Sequence, residues 1–197
     1  MGQIAPMSKT TRATQFLTQA KIAHSVHSYD YAPGGERVGL QAAEALGEHP
    51  SRVLKTLMIE IDGRPACAVI PSDQELSMKK AAAALGAKSA TMMTPADAER
   101  ITGYHVGGIS PFGQKKRVPV AIEEAAMAEA LVYINGGQRG LQVRLAPGDA
   151  ARALGAVVKA IVADSRLTPL PPSRERSEPA GHAPGMTCGM LGASHTG

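Results

Sequence analysis

The sequence predicts a single α+β domain built around a mixed sheet. Three observations point there. Helix-like and strand-like segments mix without a steady βαβ rhythm, which argues against a doubly wound parallel sheet. Two apolar runs, SRVLKTLMIEI (51–61) and PACAVIP (65–71), flank Asp62-Gly63-Arg64, and Asp-Gly between apolar runs signals an antiparallel hairpin. Hydrophobic residues make up 44% of the 197-residue chain, the share expected of one globular domain with a modest core.

In chain order, residues 1–8 read as an N-terminal extension, with Met7 a candidate start. From Thr10 to Ile22 the apolar residues Ala13, Phe16, Leu17 and Ala20 recur at helical spacing. AHSVHSYDY (23–31) alternates as a strand, and Pro33-Gly34-Gly35 breaks it. Val38 to Leu46 is helical, with Gly47 as its stop. After the hairpin, Ser77 to Leu85 forms a short helix ended by Gly86, and Thr94-Pro95 opens another as N-cap and first helical residue. A loop from Gly107 to Gly113 follows. RVPVAI (117–122) and ALVYI (130–134) read as strands with a short helical piece between them, and GGQRG (136–140) turns the chain into LQVRL (141–145). A helix runs from about Pro147 to Gly155, and AVVKAIVA (156–163) closes the domain near Asp164. The domain therefore spans 9–167. From 168 to 197 Pro, Gly, Ser and Arg dominate and apolar periodicity vanishes, the composition of a disordered tail.

Composition narrows the function. Aromatic residues are only 3% and Trp is absent, so a base-stacking platform of the single-strand-binding kind is excluded. A net charge of +4 suits an anionic partner such as RNA without marking a nucleic-acid-coating protein, and no DNA partner is expected. Cys67 and Cys188 have no C-x-x-C neighbours, so neither a zinc site nor a disulfide framework is expected, and a reducing, cytoplasmic setting fits. No apolar leader or membrane-length run is present, and no membrane partner is expected.

The stretch GGISPFGQKK poses the sharpest question. Gly108 and Gly113 have P-loop spacing, but Gln114 stands where the lysine belongs and no hydroxyl residue follows, so a nucleotide P-loop is excluded. What remains is unhindered backbone stiffened by Pro111, suited either to a tight connection or to close approach by a ligand. Lys55 is the second marked residue. Read at period two, it shares a strand face with Val53, Leu57, Ile59 and Ile61, so it either snorkels to water from the strand end or faces a cavity. His24 and His27 fall on opposite strand faces, and His105 adjoins the glycine loop. Ser110 lies in the loop without an evident base, and no catalytic triad order emerges. Lys79-Lys80 and Lys115-Lys116-Arg117 are basic clusters, which read either as solvated faces or as phosphate contacts.

Four segments in this order, LKTLM, LSMKKAAAALGAK, ITGYHVGGISPFGQKKR and YINGGQRGLQVRLAPGD, resemble the YbaK family of free-standing Cys-tRNA(Pro) deacylases, relatives of the prolyl-tRNA synthetase editing domain. The resemblance covers roughly residues 8–165. It implies a mixed β-barrel-like sheet surrounded by helices and removal of a wrong amino acid from the tRNA 3′ end, with no cofactor or metal. Lys55 matches the lysine the family requires. Gly107, Gly108, Ile109 and Ser110 match its substrate-binding glycine loop, and Tyr29 and Thr56 resemble pocket residues. Asn135, before Gly136, departs from the serine frequent in close relatives and would reshape a small pocket. The implied partners are the 3′ end of aminoacyl-tRNA and prolyl-tRNA synthetase. The implied mechanism is substrate-assisted, with the cysteine thiol attacking its own ester. A deacylase for another small amino acid such as alanine, and a non-catalytic tRNA- or synthetase-binding module, are the alternatives.

Overall fold

The computed structural model describes residues 10–33 and 37–164. The expected extension over 1–8 and tail over 168–197, with Cys188, lie outside them.

Each end of the hairpin strands follows from local chemistry. β2 (Val53–Ile61) and β3 (Arg64–Pro71) pair antiparallel in a register from Leu54↔Pro71 to Ile61↔Arg64. Asp62 (φ 46°) and Gly63 (φ 76°) both take left-handed backbone, the tight turn that matches strand twist. The Asp62 carboxylate then accepts the backbone N–H groups of Lys88 and Ser89, and this steers the following three residues, β4 (Ala90–Met92), onto the free edge of β2.

The remaining strands are β1 (Ser25–Ser28), β5 (Val120–Glu123), β6 (Val132–Asn135), β7 (Leu141–Leu145) and β8 (Val157–Lys159). The eight-stranded sheet has the order β1-β7-β6-β2-β3-β5-β8, with β4 added to β2. It is mixed: β2–β6, β3–β5 and β5–β8 are parallel, the other pairs antiparallel. β1 and β8 end the path without pairing to each other.

Five helices cover the sheet: α1 (Arg12–Gln19), α2 (Val38–Leu46), α3 (Met78–Ala84), α4 (Pro95–Thr102) and α5 (Pro147–Leu154). α1 starts at a reciprocal cap, in which Thr11 Oγ1 accepts the Thr14 N–H and Thr14 Oγ1 accepts the Thr11 N–H. Strand alternation divides β2 as its sequence predicts. Leu54 and Met58 join the main core with Leu17, Val69, Ile122 and Ile134. Ile59 and Ile61 join a second core with Ile70, Ala81 and Ile161. No helix among the described residues is long and apolar enough to cross a membrane.

The chain closes with a short strap. Glu123 is 3% exposed, and its Oε2 accepts the N–H groups of Ile161 (2.7 Å) and Val162 (3.0 Å). The strap is stitched to the segment after β3: Ser77 N–H donates to Ile161 O, Ala163 N–H donates to Glu75 O, and Leu76 bridges Val162.

Candidate functional site

The centre of the site is a break in the sheet. Ser72 N–H donates to Val53 O, so Val53 and every second residue after it turn their backbone groups toward β3. Thr56 belongs to the alternate set, and its N–H and C=O point to the opposite edge. On that edge β6 pairs only with Val53 and Leu54, and β4 only with Ile59 to Ile61. Between them lies a cavity of about 500 Å³. Its floor is β2 from Leu54 to Met58. The first turn of α2, the segment 72–75 after β3, Met92 and Met93, and the loop carrying Gly107 and Ile109 form its walls.

Lys55 stands inside this cavity, half-buried. Its Nζ donates to Ser72 O at 3.3 Å, and among the described residues no carboxylate lies within ion-pair distance. Burial lowers its pKa, the charges of Glu75 and Asp73 oppose that, and Arg37 adds to it. The ammonium thus has donors to spare and a ligand-sized space to spend them in. Gly39 lets α2 close on Ser72: a Cβ there would collide with Ser72 Oγ and Cβ, while 3.7 Å to Lys55 Cβ is ordinary contact. At the start of α2 no side chain among the described residues caps the first-turn amides, and Arg37 to Leu40 border the cavity.

Three buried polar atoms around the break have no partner among the described residues: Thr56 Oγ1, Gln142 Oε1 and Tyr29 OH. Thr56 and Gln142 line the cavity, and Gln142 is only 3% exposed. Burial raises the Tyr29 pKa and so keeps the phenol protonated. Buried polar groups are normally paired, and those facing a cavity are open to water or to a ligand.

The glycine loop owes its shape to a second loop. Gly107 has φ +89°, and a Cβ on Gly108 would come within 2.8 Å of Arg139 N and 2.9 Å of Gln138 C. Only glycine permits that approach. Asn135 Nδ2 donates to Gly107 O and Gln138 O, Asn135 Oδ1 accepts the Gly137 N–H, and Arg139 Nε donates to Val106 O. The Asn135 amide is a strut between the two loops.

Of the residues singled out from sequence, Lys55, Thr56, Gly107, Ile109 and Asn135 line the cavity. Tyr29, Gly108, Ser110 and Gly136 do not. Tyr29 sits beside Gln142, Gly108 seats the loop, and Gly136 donates its N–H to Leu141 O. Ser110 is fully buried; its Oγ accepts the Phe112 N–H and its carbonyl accepts from Gln114. His105 turns its ring outward toward Glu99. Cys67 is fully buried in the main core, with burial pushing its thiol up to about 12. Sequence reasoning missed Gln142 and the wall at 72–75. Alternation in LQVRL assigns Gln142 to the face opposite Leu141 and Val143, which reads as solvent but here is the cavity.

Residues 37–153 match the family described as the aminoacyl-tRNA editing domain. The chain is 37% identical over 139 residues to a protein of Enterococcus faecalis that carries the provisional name Cys-tRNA(Pro)/Cys-tRNA(Cys) deacylase EbsC, covering 70% of this chain and 84% of that one. It is 30% identical over 96 residues to a proline–tRNA ligase of Acidithiobacillus ferrooxidans, covering 49% of this chain but 17% of the ligase. A crystal structure described as a candidate trans-editing enzyme for prolyl tRNA synthetase superposes with a TM-score of 0.66 at 20% identity, over 78% of this chain and 96% of that one.

Proposed function

The chain belongs to the aminoacyl-tRNA editing domain family, and from that premise we propose that it works in trans, removing cysteine from mischarged Cys-tRNA(Pro). The observation that carries the reading is Lys55, a half-buried cation that lines the cavity together with Arg37, Asp73 and Glu75 yet has no ion-pair partner among the described residues.

The chemistry follows from what the cavity contains. Among the described residues no histidine lines it, and its serine, Ser72, gives its hydroxyl to Val53 O. Cys67 is sealed in the core. Thr56 Oγ1 has no partner among the described residues, but no described histidine lines the cavity to take its proton, and, as the family resemblance implies, we assign the nucleophile to the substrate's own thiol. Its sulfur bonds to the ester carbonyl carbon, the ester C–O bond breaks, and the thiol proton ends on the released tRNA hydroxyl; water then opens the cyclic thioester. The protein's part is to hold thiol and ester together and to steady the negative charge that builds on the carbonyl oxygen. Lys55 Nζ and the outward Thr56 N–H are the donors placed for this charge or for the terminal phosphate. Gln142 Oε1 and Thr56 Oγ1 take the substrate's donors. Prolyl-tRNA synthetase is the partner that supplies mischarged tRNA(Pro).

A deacylation panel with Cys-, Ala-, Ser- and Pro-charged tRNA(Pro) tests this reading. Cys-tRNA(Pro) is expected to be cleaved fastest. Faster cleavage of Ala-tRNA(Pro), which has no thiol, overturns the substrate-assisted route and assigns the pocket to alanine.

A further inference from the structure

We propose that Arg12, Lys115 and Lys116 form a shelf that binds the phosphate backbone of the RNA whose 3′ end enters the cavity. The proposal rests on the deacylase reading for the identity of the RNA and adds to it a second surface, outside the cavity.

The three side chains are exposed and brought together by packing. A Cβ on Gly103, the residue that ends α4, would meet both the Arg12 guanidinium and Lys115 Cβ. Arg12 also lies over the Tyr104 ring, 5.6 Å from its centroid. The backbone N–H groups of Lys115 and Lys116 donate to Thr102 O and Ile101 O at 2.9 and 3.1 Å. Those bonds occupy the last carbonyls of α4 and leave the two ammonium groups unspent. None of the three cations has an ion-pair partner among the described residues, so their charge is open to an external anion. Arg12 opens α1, the helix end where a cation opposes the macrodipole, and the first turn carries no acidic residue. The Arg12 guanidinium lies over Tyr104 and beside Gly103, the α4 C-cap, and its outer side is exposed and open to an anion.

The shelf is also one layer from the cavity. Thr11 Oγ1 donates to Gly136 O, and a Cβ on Gly137 would press on the Tyr104 ring and on Ala13. Tyr104 OH donates to Phe112 O within the glycine loop. One loop thus carries Gly107 and Ile109 on the cavity and Lys115 and Lys116 on the shelf. The cavity and the shelf are thus linked through Tyr104 and the segment from Gly107 to Lys116.

The test is binding of uncharged tRNA(Pro) to the full chain across a KCl titration. In the Arg12→Gln/Lys115→Gln/Lys116→Gln variant the slope of log affinity against log salt is expected to become shallower by about two to three. A variant with the same charge change elsewhere (Arg64→Gln/Lys88→Gln/Lys159→Gln) should keep the wild-type slope. Turnover of a short cysteinylated oligonucleotide ending in CCA should be unchanged by the shelf variant. An unchanged slope, equal losses in both variants, or equally reduced turnover of the short substrate overturns the shelf. Should the triple variant fail to fold, Lys115→Gln and Lys116→Gln alone should each reduce the slope by about one. A wild-type protein that cleaves no charged tRNA sinks the deacylase reading, while the salt titration still decides the shelf.

Discussion

The two edges of β2 are paired in opposite ways. Toward β3 the strand is paired without interruption from Leu54 to Ile61. Toward the other side it meets one parallel partner for two residues and one antiparallel partner for three, and between them, among the described residues, only Met58 O is taken, by the Met93 N–H. The continuous edge holds buried Cys67, Val69 and Ile70; the broken edge leaves the Thr56 N–H open to the cavity, which Lys55 enters from the face of the strand, bonded to Ser72 O. A binding site can thus be made by leaving a stretch of sheet unpaired, provided the other edge of the same strand is rigid enough to bear the omission.

Substitutions on the two edges should therefore separate activity from stability. The largest effect is expected at Lys55. Lys55→Met removes a charge-assisted bond worth about 1.5–3 kcal/mol, a loss of roughly ten- to a hundredfold in deacylation. The same change should hold or raise the melting temperature, because it puts an apolar chain where a partly desolvated ammonium stood. The pH dependence has a definite sign. Burial holds the folded pKa of Lys55 below 10.5. Between the two values the unfolded chain binds more protons, so wild-type stability rises with pH there. The melting advantage of Lys55→Met should accordingly be greatest near neutrality and shrink in alkali. A folded variant with normal turnover would remove Lys55 from the site.

Gly108→Ala should come next. Its Cβ meets backbone, not a flexible side chain, so the two loops must separate, at about 1–3 kcal/mol by thermal melting and with a raised KM. An alanine variant with wild-type KM shows that loop contact is irrelevant to binding. Thr56→Val sharpens the contrast further. It deletes a buried hydroxyl without a partner among the described residues, so stability should be unchanged or improved by up to about 1 kcal/mol while KM rises. A marked fall in melting temperature would mean the hydroxyl already has a partner in the free protein. The smallest effect belongs to the paired edge. Cys67→Ala should cost about 1 kcal/mol of stability for a lost buried atom and leave turnover within twofold. An inactive, folded Cys67→Ala protein would break the comparison and point to a protein thiol.

How much of this was legible in the sequence divides along the same line. The continuous edge was legible almost residue by residue, because Asp62-Gly63 and two alternating apolar runs are local signals. β7 and helix α2 were likewise read within their observed bounds. β4 was not, since three residues carry no period; it exists because the Asp62 carboxylate and an unfilled edge recruit it. In the site, Lys55 showed itself as a cation on an aliphatic face. Gln142 stayed hidden because alternation says which side of a strand a residue takes, not whether that side is water or cavity. Ser110 looked available in a glycine-rich loop, yet packing turned its hydroxyl inward. The wall at 72–75 was unreadable because its two ends are held by distant partners, Ser72 by Val53 O and Glu75 by the Ala163 N–H.

That strap has a consequence for when the protein becomes active during its own synthesis. Glu75 and Ser77 cannot be stitched down, and Glu123 Oε2 lacks its two donors, until Ile161 to Ala163 have left the ribosome. Up to that moment a nascent chain can hold the whole β2–β3 hairpin and the glycine loop, and Glu123 Oε1 can already accept the Ala125 N–H, but the far end of the wall, from Glu75 to Ser77, is not yet tied down. The cavity wall is completed by residues that follow every other element of the site in the chain, so the ester-cleaving pocket opens for use after the domain behind it has already been made.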